Sequence, residues 1–111
     1  MTTCIEHPKD PVCQQELEHI AACGLDWSAF SHKTVLVTGA TGLVGSYAVR
    51  ALAAINRIHA CDMTILAMVR NIDKAKRLYG PLLDRGDVAL VIGDVRDPIA
   101  YEGPVDYIIH G

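Results

Sequence analysis

The run from Thr34 to Ser46 constrains the fold of this chain more than any other part of the sequence. It opens with β-branched and apolar residues, passes through three glycines spaced three apart (Gly39, Gly42 and Gly45), and continues as a helical pattern. A buried strand, a glycine turn and a helix start, in that order, form a frame that binds nucleotide diphosphates. The run therefore predicts a diphosphate site where the first strand ends.

The three glycines have separate predicted roles. Gly39 permits a tight turn out of the strand, Gly42 lets backbone N–H groups approach a phosphate, and Gly45 lets the helix lie close to the sheet. The first-turn N–H groups of a helix lack partners within the helix, so they favour a bound anion. A turn that only packs the helix against the strand is the alternative interpretation.

The spacing of these glycines differs from the Gly-x-Gly-x-x-Gly of the standard dinucleotide fingerprint. No Gly-Lys-Ser/Thr follows, which argues against a P-loop and triphosphate hydrolysis. The helix that follows is expected to pack against the sheet through one apolar face, formed by Val44, Ala48, Ala51, Leu52 and Ile55.

Strand and helix patterns alternate along the rest of the chain. Continuous apolar strands separated by helices are typical of a parallel sheet that is covered on both faces and joined by right-handed crossovers. We therefore predict an α/β fold, a Rossmann-type doubly wound parallel sheet with strand order 3-2-1-4, truncated after the fourth strand. After the glycine loop and its helix, the predicted elements are strands at Met63–Val69, Val88–Ile92 and Val105–His110 and a helix at Ile72–Leu83.

Residues 1–33 are expected to form a helical preface to a nucleotide-binding half-domain at 34–111. Asp10 can cap a helix whose first residue is Pro11, and Gly24 can close that helix after Cys23. Two apolar groups are expected to dock the preface onto the domain rather than to bind a ligand: a helix stripe of Val12, Leu17, Ile20 and Ala21, and a hook of Leu25, Trp27 and Phe30.

Three ordered motifs resemble the NAD-dependent epimerase/dehydratase family of the extended short-chain dehydrogenases/reductases. They run from Thr38 to Ser46, from Ile92 to Asp97 and from Val105 to the end of the chain. The resemblance implies an NAD(P) cofactor and a nucleotide-sugar or other small-molecule substrate. It also implies epimerase, dehydratase or decarboxylase chemistry by transient hydride transfer.

The resemblance also implies roles for individual residues. Asp94 looks like the carboxylate that accepts the adenine amino group, and Val95 like the residue whose backbone meets the ring edge; as an alternative, Asp94 caps a turn. His110 ends the fourth strand and could line the cofactor cleft, or be a satisfied histidine beside the sheet. The cofactor loop would contribute Gly39, Thr41, Gly42, Leu43, Val44 and Gly45.

Cofactor preference depends on the residues after the second strand. In such folds an acidic residue there binds the ribose 2′-hydroxyl, whereas an arginine accommodates a 2′-phosphate. Here Arg70 occupies the position, with Asn71 next and Lys74 one turn on. This set favours NADP, although many nucleotide-sugar epimerases and dehydratases have an aspartate there and hold NAD. An exposed rim of a charged helix is the alternative interpretation.

Composition excludes several classes of protein. The chain has 111 residues, half of them apolar, and a net charge of −3, which suits one globular domain without a nucleic-acid partner. No long apolar run or leader pattern indicates a membrane partner, so we expect a cytoplasmic protein. Cys4, Cys13, Cys23 and Cys61 lack Cys-x-x-Cys spacing and a neighbouring histidine at ligand spacing, so reduced thiols and no metal site are expected.

The family's chemistry requires a tyrosine base followed four residues later by a lysine. None of Tyr47, Tyr79, Tyr101 and Tyr107 has that lysine. We therefore expect the chain to be the cofactor-binding amino-terminal part of a longer, homodimeric enzyme, and to be inactive alone. An NADPH-dependent reductase of the same superfamily and a non-catalytic NADP-sensing module are the alternatives.

Overall fold

A computed structural model describes residues 5–93 and 103–110 of the chain. Within these ranges no helix has the length and apolar character needed to cross a membrane. In chain order the elements are α1 (Pro11–Ala21), a 3₁₀ turn (Trp27–Phe30), β1 (Thr34–Thr38), α2 (Leu43–His59), β2 (Thr64–Val69), α3 (Ile72–Tyr79), a second 3₁₀ turn (Gly80–Arg85), β3 (Val88–Ile92) and β4 (Tyr107–His110).

The four strands form one parallel sheet in the order β3-β2-β1-β4. The predicted α/β fold and strand order are therefore confirmed. β1 is central, since Val35 pairs with Ile65 of β2 on one side and with Tyr107 of β4 on the other. The crossovers from β1 to β2 and from β2 to β3 run in the same direction, so the right-handed rule places α2 and α3 on the same face of the sheet.

Alternate strand residues point to opposite faces, so the sheet carries two apolar clusters. The larger cluster joins α2 and α3 to the strands. The smaller one lies on the opposite face, where Val105 packs against it. The strand residues of the larger cluster are Val35, Val37, Ile65, Ala67, Val69 and Val88, and the smaller cluster contains Leu36, Leu66, Met68 and Val91.

The predicted bounds of β3 are confirmed, and three other elements are shorter than predicted. β2 begins at Thr64, one residue after the predicted start, and β4 begins at Tyr107, two residues after it. Asp106 fixes that start, because its Oδ2 accepts a hydrogen bond of 2.8 Å from the Thr34 backbone. α3 ends at Tyr79 because Gly80 has φ +54° and precedes Pro81, which disfavours a continued helix.

The predicted buried face of α2 is wrong in part. Leu52 and Ile55 are buried, but Val44 is 67% exposed, and Ala48 and Ala51 are only half-buried. The helix turns Gly45 toward the glycine loop, and this orientation sets the line of residues that meets the sheet. That buried line runs through Gly45, Val49, Leu52, Ala53 and Asn56.

The N-terminal segment packs against the domain through fewer apolar residues than predicted. Asp10 caps α1 as expected, accepting a bond from the Cys13 backbone, but the helix ends at Ala21 with Ala22 as its cap, not at Cys23. The predicted stripe and hook are partly wrong, because Val12 and Leu25 are exposed. The predicted docking residues that do pack against the domain are Leu17, Ala21, Trp27 and Phe30.

A buried ionic network also holds this segment. The Glu6 side chain is fully buried and accepts two bonds of 3.0 Å from Arg57 of α2. Arg85 and Gln14 donate to the same carboxylate. Burial alone would raise the pKa of Glu6, but these hydrogen bonds outweigh it and hold the pKa below its ordinary value. Glu6 is therefore ionised and joins the N-terminal segment to α2 and to the turn before β3.

Candidate functional site

A cleft of about 1000 Å³ lies at the carboxyl ends of β1, β2 and β4. In parallel α/β sheets, ligands bind at the carboxyl ends of the strands. The cleft therefore stands where the sequence places the diphosphate site. Its lining residues are Thr38, Gly39, Thr41, Gly42, Leu43, Val44, Gly45, Met68, Val69, Arg70, Lys74, Gly93 and His110.

The glycine loop forms the floor of this cleft. Gly39 has φ +58°, a conformation that favours glycine, and its carbonyl accepts a 2.9 Å bond from the Gly42 N–H. A Cβ on Gly45 would lie only 2.2 Å from that same carbonyl oxygen. Gly39 thus supplies the predicted tight turn, and Gly45 permits a close approach of α2, but to the glycine loop rather than to the sheet as predicted.

The first turn of α2 faces the cleft without a side-chain cap. Gly42 is the N-cap residue and offers no side-chain oxygen, and the first turn contains no acidic residue. Neither the N-cap residue nor the first turn therefore provides a side-chain acceptor for the first-turn N–H groups. These groups also carry the positive end of the dipole of a 17-residue helix. This end of α2 can hold an anion such as a diphosphate.

Tyr79 of α3 holds the glycine loop in place through a buried hydrogen bond. Its buried hydroxyl donates a hydrogen bond to the Ala40 carbonyl, while the Ala40 N–H donates to Met68 of β2 at 3.2 Å. The Arg50 guanidinium lies 5.3 Å from the centre of the Tyr79 ring. Burial raises the pKa of Tyr79 against the opposing charge of Arg50, so the hydroxyl keeps its proton. Sequence reasoning missed this contact because Tyr79 and Ala40 are far apart in the chain.

Two basic side chains stand at the end of β2. Arg70 and Lys74 both line the cleft, and both are exposed. Asn71, predicted to accompany them, does not line it; its Oδ1 accepts a 3.1 Å bond from the Lys74 backbone and caps α3. None of the cleft-lining residues within 5–93 and 103–110 is acidic. The described residues at this end of the cleft therefore carry a net positive charge, which favours binding of an anion.

His110 lines the opposite wall. Its Nδ1 lies 3.3 Å from the hydroxyl oxygen of Thr38, a buried residue at the end of β1. The pair joins the ends of two adjacent strands, since Thr38 and His110 are register partners. Thr38 was not predicted as a site residue, although its place at the end of the first strand could have indicated it.

Two site predictions, for Asp94 and Val95, have no counterpart in the described structure. Asp94 and Val95 lie outside the described residues. Gly93 lines the cleft, and its N–H donates a 3.0 Å bond to the Val69 carbonyl. Gly93, Met68 and Val69 all line the cleft but were not predicted as site residues from the sequence. The signal available for them was position alone, since all three stand where β2 or β3 ends.

Comparison with protein families identifies a match over most of the chain. The family model described as NAD dependent epimerase/dehydratase family matches residues 35–110. The matched range contains every described residue that lines the cleft. No curated protein matches the chain.

Proposed function

The chain belongs to the NAD dependent epimerase/dehydratase family, which implies NAD(P) binding, and on that premise we propose that its cleft takes NADP in preference to NAD. The observation that carries the preference is the pair of basic side chains, Arg70 and Lys74, that line the cleft where β2 ends. In this fold, residues at the end of the second strand contact the adenosine ribose and distinguish its 2′-hydroxyl from a 2′-phosphate.

The diphosphate of the cofactor would lie on the glycine loop. Gly42 carries no side chain that could cover the loop backbone, Gly45 lets α2 start close against the loop, and Gly39 turns the chain away from the strand. The uncapped start of α2 adds hydrogen-bond donors and about 0.3–1 kcal/mol of dipole attraction. A diphosphate fits these donors, and none of them distinguishes NADP from NAD.

The 2′-phosphate of NADP would lie between Arg70 and Lys74. A guanidinium offers paired donors to a phosphate, and an ammonium adds a mobile point charge. A hydrogen bond to a charged group contributes about 1.5–3 kcal/mol, which corresponds to about a 10- to 100-fold difference in Kd between the two cofactors.

We propose further that the chain serves a nucleotide-sugar epimerase, dehydratase or decarboxylase. The bound nicotinamide supplies a hydride acceptor for a sugar carbon, and the same carrier can return the hydride. In this function the chain's own residues bind and orient the cofactor: the loop holds the diphosphate, and Thr38 with His110 forms the wall at the ends of β1 and β4. The basic pair also favours a second candidate, an NADPH-dependent reductase of the same superfamily.

Calorimetric titration with NADP⁺ and with NAD⁺ tests the cofactor proposal. Arg70→Ala is expected to weaken NADP⁺ by about 10- to 100-fold and to leave NAD⁺ nearly unchanged. Arg77→Ala is the matched control, since Arg77 is an exposed cation of α3 that does not line the cleft. Equal losses for both cofactors would refute the 2′-phosphate site, and failure of the unmodified chain to bind either would refute the proposal as a whole.

A further inference from the structure

Three side chains of types that can ligate a metal ion converge at the start of α1, which is well separated in sequence from the glycine loop. The donor atoms of His7, Asp10 and Cys13 all lie within 4.8 Å of one another. The cysteine pattern predicted no metal here, because Cys13 has neither a Cys-x-x-Cys partner nor a histidine at the usual ligand spacing. The His-x-x-Asp-x-x-Cys spacing nevertheless brings the three side chains together in the structure. We propose that these three side chains bind a divalent cation of the zinc class.

The chemistry of the donors supports this assignment. Imidazole nitrogen, carboxylate oxygen and thiolate sulfur are the three ligand types that zinc takes from proteins. Tetrahedral zinc holds such atoms at about 2.0–2.3 Å, which places them roughly 3.3–3.8 Å from one another. The side chains therefore need to close by no more than about 1.5 Å, within reach of small rotations of exposed or half-buried groups.

The backbone between the ligands is already fixed. The His7 N–H donates to Gln14 at 2.6 Å, and the His7 carbonyl accepts from the Asp10 N–H at 3.2 Å. Gln14 in turn donates to the buried carboxylate of Glu6. The histidine is thus held at a set distance from the first turn of α1, so the chain loses little further freedom when a cation binds.

Protonation states are compatible with binding. Burial and the charge of Arg50 lower the pKa of His7, so its imidazole is neutral and can coordinate at pH 7. Burial and Asp10 raise the pKa of Cys13, so the free side chain is a thiol. Arg50 opposes that rise, which favours the thiolate. On binding, the S–H proton of Cys13 passes to the buffer, the sulfur bonds to the cation, and the two ligand charges balance the charge of the metal.

One Oδ of Asp10 remains for the metal. Its Oδ1 already accepts the Cys13 N–H at 3.0 Å and caps the helix, which leaves Oδ2 as the coordinating atom. Asp10 is exposed, and His7 and Cys13 are half-buried, so the site is open to solvent. Three protein ligands and one open position describe a site that completes its tetrahedron with water or with a group from outside these residues.

The test is calorimetric titration of the tag-free chain with Zn²⁺ in two buffers of different ionisation enthalpy, together with Co²⁺ absorption. We expect one Zn²⁺ per chain, release of one proton, and a thiolate-to-cobalt charge-transfer band. His7→Ala and Cys13→Ser should each weaken Zn²⁺ by at least about 10-fold, and Cys13→Ser should abolish the charge-transfer band. Asp10→Asn keeps an oxygen for the helix cap while removing the charge, and it should weaken binding in the same direction.

Cys23→Ser and His19→Ala are the matched controls, because both residues are exposed near the end of α1 and lie outside the cluster. They should leave Zn²⁺ binding unchanged. Absence of stoichiometric binding, or binding that survives His7→Ala and Cys13→Ser equally, would overturn the proposal. Circular dichroism of each variant confirms that the fold is intact, and NADP⁺ titration reports on the cleft separately, so failure of either site is recognised independently of the other.

Discussion

Replacing Gly45 by alanine tests the close approach between α2 and the glycine loop. The added Cβ would lie 2.2 Å from the Gly39 carbonyl oxygen, 2.7 Å from its carbonyl carbon and 3.1 Å from the Ala40 Cα. All three are backbone atoms, so no side chain can rotate away. Ordinary contacts begin at 3.4 Å; the start of the helix must therefore move by roughly 1 Å relative to the loop.

The size of the effect follows from two opposing contributions. Alanine is a better helix former than glycine by up to about 1 kcal/mol, which would stabilise the variant. Overpacking against a rigid neighbour costs about 1–3 kcal/mol, and the displaced loop loses its alignment with the diphosphate. We expect a net loss of about 1–2 kcal/mol in the free energy of unfolding and at least a 10-fold weaker Kd for either cofactor.

Urea denaturation followed by circular dichroism measures the first effect, and calorimetric titration with NADP⁺ and NAD⁺ measures the second. Gly93→Ala is the steric control for the stability measurement alone, since Gly93 lines the cleft. The nearest atoms to its added Cβ belong to the Met68 side chain at 3.8–3.9 Å, an ordinary contact. A Gly45→Ala chain as stable as the unmodified one, with unchanged affinity for both cofactors, would refute the reasoning.

Two further variants test the contacts that the sequence did not predict. Tyr79→Phe leaves the Ala40 carbonyl without its hydroxyl donor, so we expect about 1–3 kcal/mol lower stability and weaker cofactor binding by titration; an unchanged melt would contradict this. Glu6→Gln removes the buried carboxylate charge that Arg57 and Arg85 share and leaves them with Glu18 and Asp87 as acidic partners, so it should cost up to about 3 kcal/mol. Glu18→Gln, at a half-exposed carboxylate 3.4 Å from Arg57, should cost under about 1 kcal/mol. The Glu6 pKa lies below its ordinary 4.5, so its contribution is present above about pH 4.5 and is lost as the pH falls through the folded-state pKa; denaturation of the unmodified chain should show this slope, and Glu6→Gln should reduce it.

Local patterns in the sequence were sufficient for the sheet and for the site loop. β3 could be bounded at Val88 and Ile92 because an apolar run stands there between turn residues, and Asp10 could be identified as a helix cap from its place before Pro11. Gly39 takes the turn role that its place after the strand implied, and Gly45 permits a close helix approach, although to the loop and not to the sheet. Each of these features depends on residues that are neighbours in the chain.

The missed features depend on residues that are distant in the chain. The Glu6 network joins residues that are 51 and 79 positions apart, and Tyr79 reaches Ala40 across 39. The rotation of α2 was misjudged for a similar reason, because hydrophobicity alone does not reveal that Gly45 must face the loop. These contacts are determined by how the helices pack on the sheet, and no local pattern in a single sequence indicates that packing.

Register links the interior of the fold to the cleft. Asn56 of α2 accepts a 2.8 Å bond from the Met63 N–H, and its amide donates to the Met63 carbonyl at 3.2 Å and to Asp87 at 2.8 Å. One buried amide therefore fixes the starts of both β2 and β3 relative to α2. A slip of one residue would move Arg70 by about 3.3 Å along the strand and turn the strand's side chains to the opposite face. The position of Arg70 at the basic end of the cleft thus depends on Asn56, a buried residue near the amino-terminal ends of β2 and β3. This role accounts for a polar side chain in the line of α2 residues that packs against the strands.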